Sequence, residues 1–114
     1  MIRFAYDVLP YVEKETNIDA LLGRSSDPLA LNANLTSWFQ SHGWTPNFTG
    51  AKTNSTYLLD GWGRPLLVAR YGDLPRVASD ELRYLAKSNT IAIWSAGKNG
   101  TNDWGNREDI IFVP

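Results

Sequence analysis

The chain has 114 residues, enough for one domain, and 43 % of them are hydrophobic while 20 % are charged, so the composition excludes a disordered chain. Its net charge of -1 gives no general attraction to nucleic acid or to an anionic membrane surface. The absence of cysteine rules out disulfide scaffolds, Cys-ligated metals and thiol catalysis, and the single histidine argues against a His-dependent catalytic triad.

The first third of the chain predicts helices. Apolar residues spaced three and four apart over 2–23 favour a helix that Pro10 kinks or divides into two pieces. A better signalled helix is predicted over 28–42, because Asp27 is a suitable N-cap and Pro28 suits the first turn. The residues that share the predicted apolar face of this second helix are Leu31, Leu35, Trp38, Phe39 and His42.

Strands dominate the predictions for the rest of the chain. The predicted strands are 56–59, 65–71, 90–95 and 109–113. Ser79 is a suitable N-cap for a short helix that carries Leu82, Leu85 and Ala86, whereas the polar stretches 43–56 and 96–108 are predicted to be loops. Helices followed by strands indicate a single α+β domain over 1–114, with helix packed on one face of a small antiparallel sheet.

Two segments carry a pattern more specific than composition. The first is the turn Asp60-Gly61-Trp62-Gly63-Arg64-Pro65, and the second is Ser95-Ala96-Gly97-Lys98-Asn99-Gly100, which is followed by Asp109-Ile110. In this order they resemble the pseudopilins of type II secretion systems, within the type IV pilin-like superfamily. The major pseudopilins carry an Asp-x-Trp-Gly-x-Pro turn and then a Ser-x-Gly-x-Asp-Gly loop that ends in Asp-Ile. The resemblance covers residues 60–114.

The resemblance implies a pilin-like fold and a structural role without catalysis. The implied role is that of a subunit of a pseudopilus, or of a related type IV pilus-like fibre, that assists protein export. The implied partners are other pseudopilin or pilin subunits and the inner-membrane assembly platform, without nucleic acid. The implied location is the periplasm, with an inner-membrane anchor formed by an apolar helix ahead of residue 1. Within 1–114 no stretch reaches the roughly 20 apolar residues that cross a bilayer.

The turn residues are expected to have structural roles. They are Asp60, Trp62, Gly63 and Pro65. We expect the Asp60 carboxylate to accept hydrogen bonds from amides of its own turn. We expect Trp62 to pack beneath the turn, because a tryptophan ring buries a large apolar area.

The resemblance also implies a calcium site in the loop that follows the last long strand. By motif match, Asn99 stands at the family's loop aspartate and Asp109 at the aspartate that closes the loop. Ala96 would offer a carbonyl, and Asp103 could replace the negative charge that Asn99 lacks. The alternative is a metal-free loop held by Asx turns and by hydrogen bonds to backbone amides.

Two other classes of function stay open from the residues alone. A secreted carbohydrate- or protein-binding module could use exposed tryptophans such as Trp44 or Trp104. A hydrolase would need two carboxylates that converge in a pocket. Glu108 and Asp109 are poorly placed for that, because adjacent residues of a strand point to opposite faces.

Overall fold

A three-stranded antiparallel sheet lies between two helices in the computed structural model, which describes residues 22–41, 52–53 and 56–113, with side chains for 22–41 and 56–113. The helices are α1 (Pro28–Ser41) and α2 (Asp80–Asn89). The strands are β1 (Lys52–Thr53), β2 (Leu58–Leu59), β3 (Leu67–Arg70), β4 (Ile91–Ser95) and β5 (Ile110–Ile111), and a 3-10 turn spans Tyr71–Asp73. The helix predicted over 2–23, with its kink at Pro10, lies outside the described residues except at its last two positions.

Helix α1 confirms the second predicted helix to within one residue at its C-terminal end. Asp27 caps it, since Asp27 Oδ2 accepts a hydrogen bond from Ala30 N at 3.3 Å. Leu31, Leu35 and Phe39 are buried on one face, as their spacing of four predicts. His42 lies outside the described residues.

Strand β4 is the central strand of the three-stranded sheet, and all five of its residues are buried. It pairs antiparallel with β3, with Arg70 opposite Ile91, and with β5, with Ser95 opposite Ile110. The predicted strands at 65–71, 90–95 and 109–113 are thus confirmed as elements, with β3 and β5 shorter than predicted. Because Ser95 pairs with Ile110, the residue before the 96–108 loop lies beside the strand that follows the loop.

Each face of the sheet packs against a different helix, which corrects the expectation that helix covers only one face. Val68, Ile91 and Ile93 join the apolar side chains of α1 in one cluster. On the opposite face Ala92 and Trp94 join Leu82 and other residues of α2 in a second cluster. Both sets of alternating residues in β4 are apolar, and such a strand needs a partner on each face.

Helix α2 begins where the sequence predicts. Ser79 is the N-cap, and its Oγ accepts a hydrogen bond from Leu82 N at 3.1 Å. Leu82, Leu85 and Ala86 are buried, as predicted. Among the described residues no helix is both long enough and apolar enough to cross a membrane.

A buried amide joins α1 to the chain segment that leads into the sheet. Asn32 is fully buried, and its Nδ2 donates to Leu58 O at 3.0 Å and to Leu66 O at 2.6 Å. Its Oδ1 accepts from Leu58 N at 2.9 Å and from Thr36 Oγ1 at 3.0 Å. The Asn32 amide therefore satisfies backbone groups that a neighbouring strand would otherwise pair with.

Strand β1 lies inside the stretch 43–56 that the sequence predicts to be loop. Lys52 pairs with Leu59 and Thr53 with Leu58, so β1 and β2 form a separate two-stranded sheet. The loop prediction is therefore wrong at 52–53. The strand predicted over 56–59 is confirmed only at 58–59.

Replacing Asn32 by alanine should destabilise the fold by roughly 3 kcal/mol, because buried groups of Leu58 and Leu66 lose their partners. Asn34→Ala is the matched control, since Asn34 makes one part-buried bond, to Leu22 O. Urea unfolding measures both free energies. Equal losses in the two variants would show that the Asn32 bonds do not hold α1 to the sheet.

Candidate functional site

The turn at residues 60–65 is built around one buried carboxylate. Asp60 is only 3 % exposed, and its Oδ1 accepts hydrogen bonds from Trp62 N and Arg64 N, each at 2.9 Å. The backbone closes the turn, since Asp60 N donates to Arg64 O at 2.8 Å. Gly63 adopts a φ of +79°, in the left-handed region that favours glycine. The expected contact of Asp60 with its own turn amides is present.

The second oxygen of Asp60 joins this turn to the end of β4. Ser95 Oγ donates to Asp60 Oδ2 at 2.7 Å, and Ser95 is itself buried. The same Oγ accepts a hydrogen bond from Gly97 N at 3.0 Å. A continuous chain of hydrogen bonds thus runs from the 60–65 turn into the C-terminal loop, which we define as residues 96–108.

Arg64 makes a second connection between the turn and the loop. Its Nη1 donates to Gly97 O at 2.9 Å and to Lys98 O at 3.2 Å. Gly100 lies against the same side chain, because a Cβ added there would come within 2.8 Å of Arg64 Cζ. From the sequence, Arg64 is expected to lie on a solvated surface, and nothing in its position predicts these contacts with the loop.

Trp62 does not pack beneath the turn. Its side chain is 47 % exposed, so the expectation of a buried ring is wrong. The hydrogen bonds to the Asp60 carboxylate close the turn from the inside, and the ring is left at the surface. Pro65, in contrast, is half-buried and forms an isolated bridge with Leu59.

The middle of the C-terminal loop is fixed by Asn102. Its Oδ1 accepts from Trp94 Nε1 and from Trp104 N, both at 3.0 Å. The rings of Trp94 and Trp104 lie with their centroids 5.5 Å apart. Trp104 therefore packs in part against the core beside α2, and only a fraction of its surface is left for a ligand.

Asp109 closes the loop by binding two backbone amides. Its Oδ2 accepts from Asp103 N at 2.8 Å and from Gly105 N at 3.0 Å. The other oxygen, Asp109 Oδ1, is buried without a hydrogen-bond partner among the described residues, and so is Asp103 Oδ2. Burial raises the pKa of Asp109, and the charge of Asp103 adds to this effect, while the two amide bonds oppose it.

The four residues expected to bind calcium do not all have the same environment. Asp103 and Asp109 come together, whereas Asn99 is exposed and its Oδ1 accepts from Thr101 N at 2.9 Å. Ala96 is buried directly after β4. Within the described part of the chain, no three His, Cys, Asp or Glu side chains are arranged to hold a metal. A calcium ion here would therefore need backbone or amide oxygens besides the two carboxylates.

Two observations nevertheless fit a cation at the pair formed by Asp103 and Asp109. Each carboxylate has a buried oxygen that lacks a donor, and a buried polar atom without a partner costs free energy. An open depression of about 390 Å³ adjoins the loop, lined by Val77, Asn102, Asp103, Trp104, Asn106 and Arg107. Asp103 lines this depression, whereas Asp109 does not.

No protein-family model, curated protein or solved structure matches the chain. The resemblance to pseudopilins therefore rests on the two motif segments alone, 60–65 and 95–100 with Asp109. Sequence reasoning named most residues of this site, but it missed Arg64 and Asn102. No local pattern distinguishes Asn102 from the other asparagines of the loop.

The raised pKa of Asp109 predicts how stability depends on pH when divalent ions are chelated. Between 3.8, the ordinary value, and the raised value, the native state holds a proton that the unfolded chain has released. The stabilisation from this proton is complete below 3.8 and is lost as pH rises through the raised value. Asp109→Asn should therefore gain stability relative to the wild type as pH rises from acid to neutral, measured by urea unfolding.

Glu108→Gln is the control for loss of charge, because it removes an exposed carboxylate from the same loop. If the difference in unfolding free energy between Asp109→Asn and the wild type stayed constant with pH, this would contradict a raised pKa of Asp109.

Proposed function

We propose that the chain is the soluble domain of a structural subunit of a type II secretion pseudopilus, or of a related type IV pilus-like fibre, that assists protein export. The observation that supports this most is the 2.7 Å hydrogen bond between Ser95 and Asp60. It joins the two segments that carry the resemblance to pseudopilins. Residues 35 positions apart thus form one buried unit.

The order and packing of the elements also support the proposal. Helix α1 precedes the antiparallel strands and packs on one face of their sheet through Leu31, Leu35 and Phe39. A pilin-like subunit needs this arrangement, because its helix assembles the fibre while its sheet carries the surface loops. In this proposal the partners are other pilin-like subunits and the inner-membrane assembly platform. The domain lies in the periplasm, and a preceding apolar helix anchors it before assembly.

We also propose calcium as a ligand of the C-terminal loop, which includes Ala96, Asn99 and Asp103 and is closed by Asp109. The two buried and unpartnered carboxylate oxygens, Asp103 Oδ2 and Asp109 Oδ1, support this. A divalent cation that reached both oxygens would give each of them a partner. It would also offset the repulsion by which the charge of Asp103 helps to raise the pKa of Asp109. Because Asp109 Oδ2 already accepts from the amides of Asp103 and Gly105 within the loop, the ion would serve loop stability rather than catalysis.

Calcium should raise the melting temperature of the protein by several degrees relative to chelator, while magnesium at the same concentration should not. A ligand at about 100 times its Kd adds about 2.7 kcal/mol to the native state. Asp109→Asn should abolish the rise, and Asp73→Asn, which alters a part-exposed ion pair elsewhere, should retain it. Differential scanning calorimetry of the three proteins in chelator, calcium and magnesium gives these melting temperatures. Identical wild-type melts in calcium and chelator would contradict a calcium site.

The proposed export role predicts that a bacterium lacking the gene for this protein is defective in protein secretion. Deletion of the gene should trap the substrates of the secretion system in the periplasm, which mass spectrometry of medium and periplasm would show. The wild-type gene should restore export. Asp60→Ala should not, since it leaves the Trp62 and Arg64 amides and the Ser95 hydroxyl without their acceptor. Asp73→Ala is the matched control. Unchanged export in the deletion strain would contradict the proposal.

One observation favours a second candidate, a secreted carbohydrate- or protein-binding module. Trp62 is half exposed on a turn that a buried carboxylate holds rigid, and rigid aromatic side chains are effective anchors for ligands. A change of tryptophan fluorescence on addition of polysaccharide, lost in Trp62→Ala, would favour this function. The pseudopilin proposal predicts no such change.

A further inference from the structure

We propose that Asn99 is a site of spontaneous deamidation, at which the side-chain amide leaves as ammonia and the loop gains a negative charge. Asn99 is followed by Gly100, and residues 98–101 are all exposed. Glycine has no side chain to hinder attack by its own backbone nitrogen on the preceding side chain. This inference is independent of the proposed export role.

The hydrogen bonds around Asn99 suit the reaction in one respect and oppose it in another. Thr101 N donates to Asn99 Oδ1 at 2.9 Å, so a donor already points at the oxygen on which negative charge develops. Against this, Gly100 N donates to Gly97 O at 3.2 Å, and that bond must break before the nitrogen can attack. The bond lies at the long end of the range for N–H donors, and its donor Gly100 is exposed. Gly97 O also keeps Arg64 Nη1 as a donor, so loss of the bond costs little.

The reaction needs only water and a solvent base. The base removes the proton of Gly100 N, the nitrogen forms a bond to Asn99 Cγ, and the tetrahedral intermediate protonates and expels the amide nitrogen as ammonia. A five-membered succinimide results. Water then adds to one of the two ring carbonyl carbons and breaks its C–N bond to the Gly100 nitrogen. Attack at the side-chain carbonyl leaves an aspartate at position 99, and attack at the backbone carbonyl leaves an isoaspartyl linkage. The reaction adds one negative charge to the chain, whose net charge beforehand is -1.

The structure makes Asn99 more reactive than the neighbouring asparagines. Asn102 is half-buried, with Oδ1 held by Trp94 Nε1 and Trp104 N, and Asp103 follows it. Asn106 is exposed, but its Nδ2 donates to Val77 O at 2.7 Å, and Arg107 follows it. In both cases a side chain on the next residue hinders the attacking nitrogen, and the amide is fixed by its contacts.

The product would alter the contact between the turn and the loop. The new carboxylate would lie next to Lys98 and close to the Arg64 guanidinium, which packs against Gly100. An isoaspartyl linkage also adds a methylene group to the backbone just after Lys98, whose carbonyl accepts a hydrogen bond from Arg64. The modification therefore changes the loop directly after Gly97 and Lys98, whose carbonyl groups accept hydrogen bonds from Arg64.

The folded full-length chain, incubated at mildly alkaline pH, should accumulate a more acidic species on ion-exchange chromatography. Peptide mapping by mass spectrometry should place the change at Asn99, several-fold faster than at Asn102 or Asn106. A methyltransferase specific for isoaspartate should label the same peptide. Asn99→Gln is the matched variant, because it keeps an exposed amide but cannot form the five-membered ring.

The acidic species should be absent from Asn99→Gln over the same period. Its appearance there at the wild-type rate would overturn the proposal. So would an intact Asn99 in the folded protein after the urea-unfolded chain has converted, since the turn would then protect the residue.

Discussion

The buried carboxylate of Asp60 is the constraint on which the site depends. One of its oxygens closes a tight turn through two backbone amides, and the other accepts the hydroxyl hydrogen of Ser95 at the end of the central strand. A carboxyl group buried in this position is stable only because each of its oxygens has hydrogen-bond partners. The carboxylate therefore sets both the shape of the turn and its distance from the C-terminal loop. The exposure of Trp62 follows from this, because the turn needs no ring beneath it.

Contacts with β4 and α2 fix the later part of the C-terminal loop, around Asn102 and Trp104. Trp94 on β4 faces α2 and donates to Asn102, which in turn accepts from Trp104 N. Trp104 O accepts from Ser79 N, directly before α2, at 3.0 Å. The loop is thus tied to the sheet, to the helix and to itself. Among the described residues, the buried oxygens Asp103 Oδ2 and Asp109 Oδ1 have no hydrogen-bond partner, and the proposed calcium ion would give them one.

Local signals predicted much of the fold. Asp27 and Ser79 mark the starts of both described helices, and the alternation of Ile91, Ala92 and Ile93 indicates that the faces of β4 differ. Contacts between distant residues were not predictable in this way. The partners of Asn32 lie 26 and 34 residues away, and no local pattern reports them. The exposure of Trp62 was mispredicted for a related reason, since its size favours burial while the turn geometry decides otherwise. In the site, the residues Asp103 and Asp109 were predictable from type, but their contact depends on how the loop folds back.

A double-mutant cycle between Asp60 and Ser95 measures whether this hydrogen bond joins the turn to the C-terminal loop. Unfolding free energies of the wild type, Asp60→Ala, Ser95→Ala and the double variant isolate the coupling between the two side chains, because the lost turn amides cancel. We expect a coupling of at least about 1 kcal/mol, the usual contribution of a buried side-chain hydrogen bond. Effects that add to within about 0.3 kcal/mol would show that the two segments are not joined through Asp60.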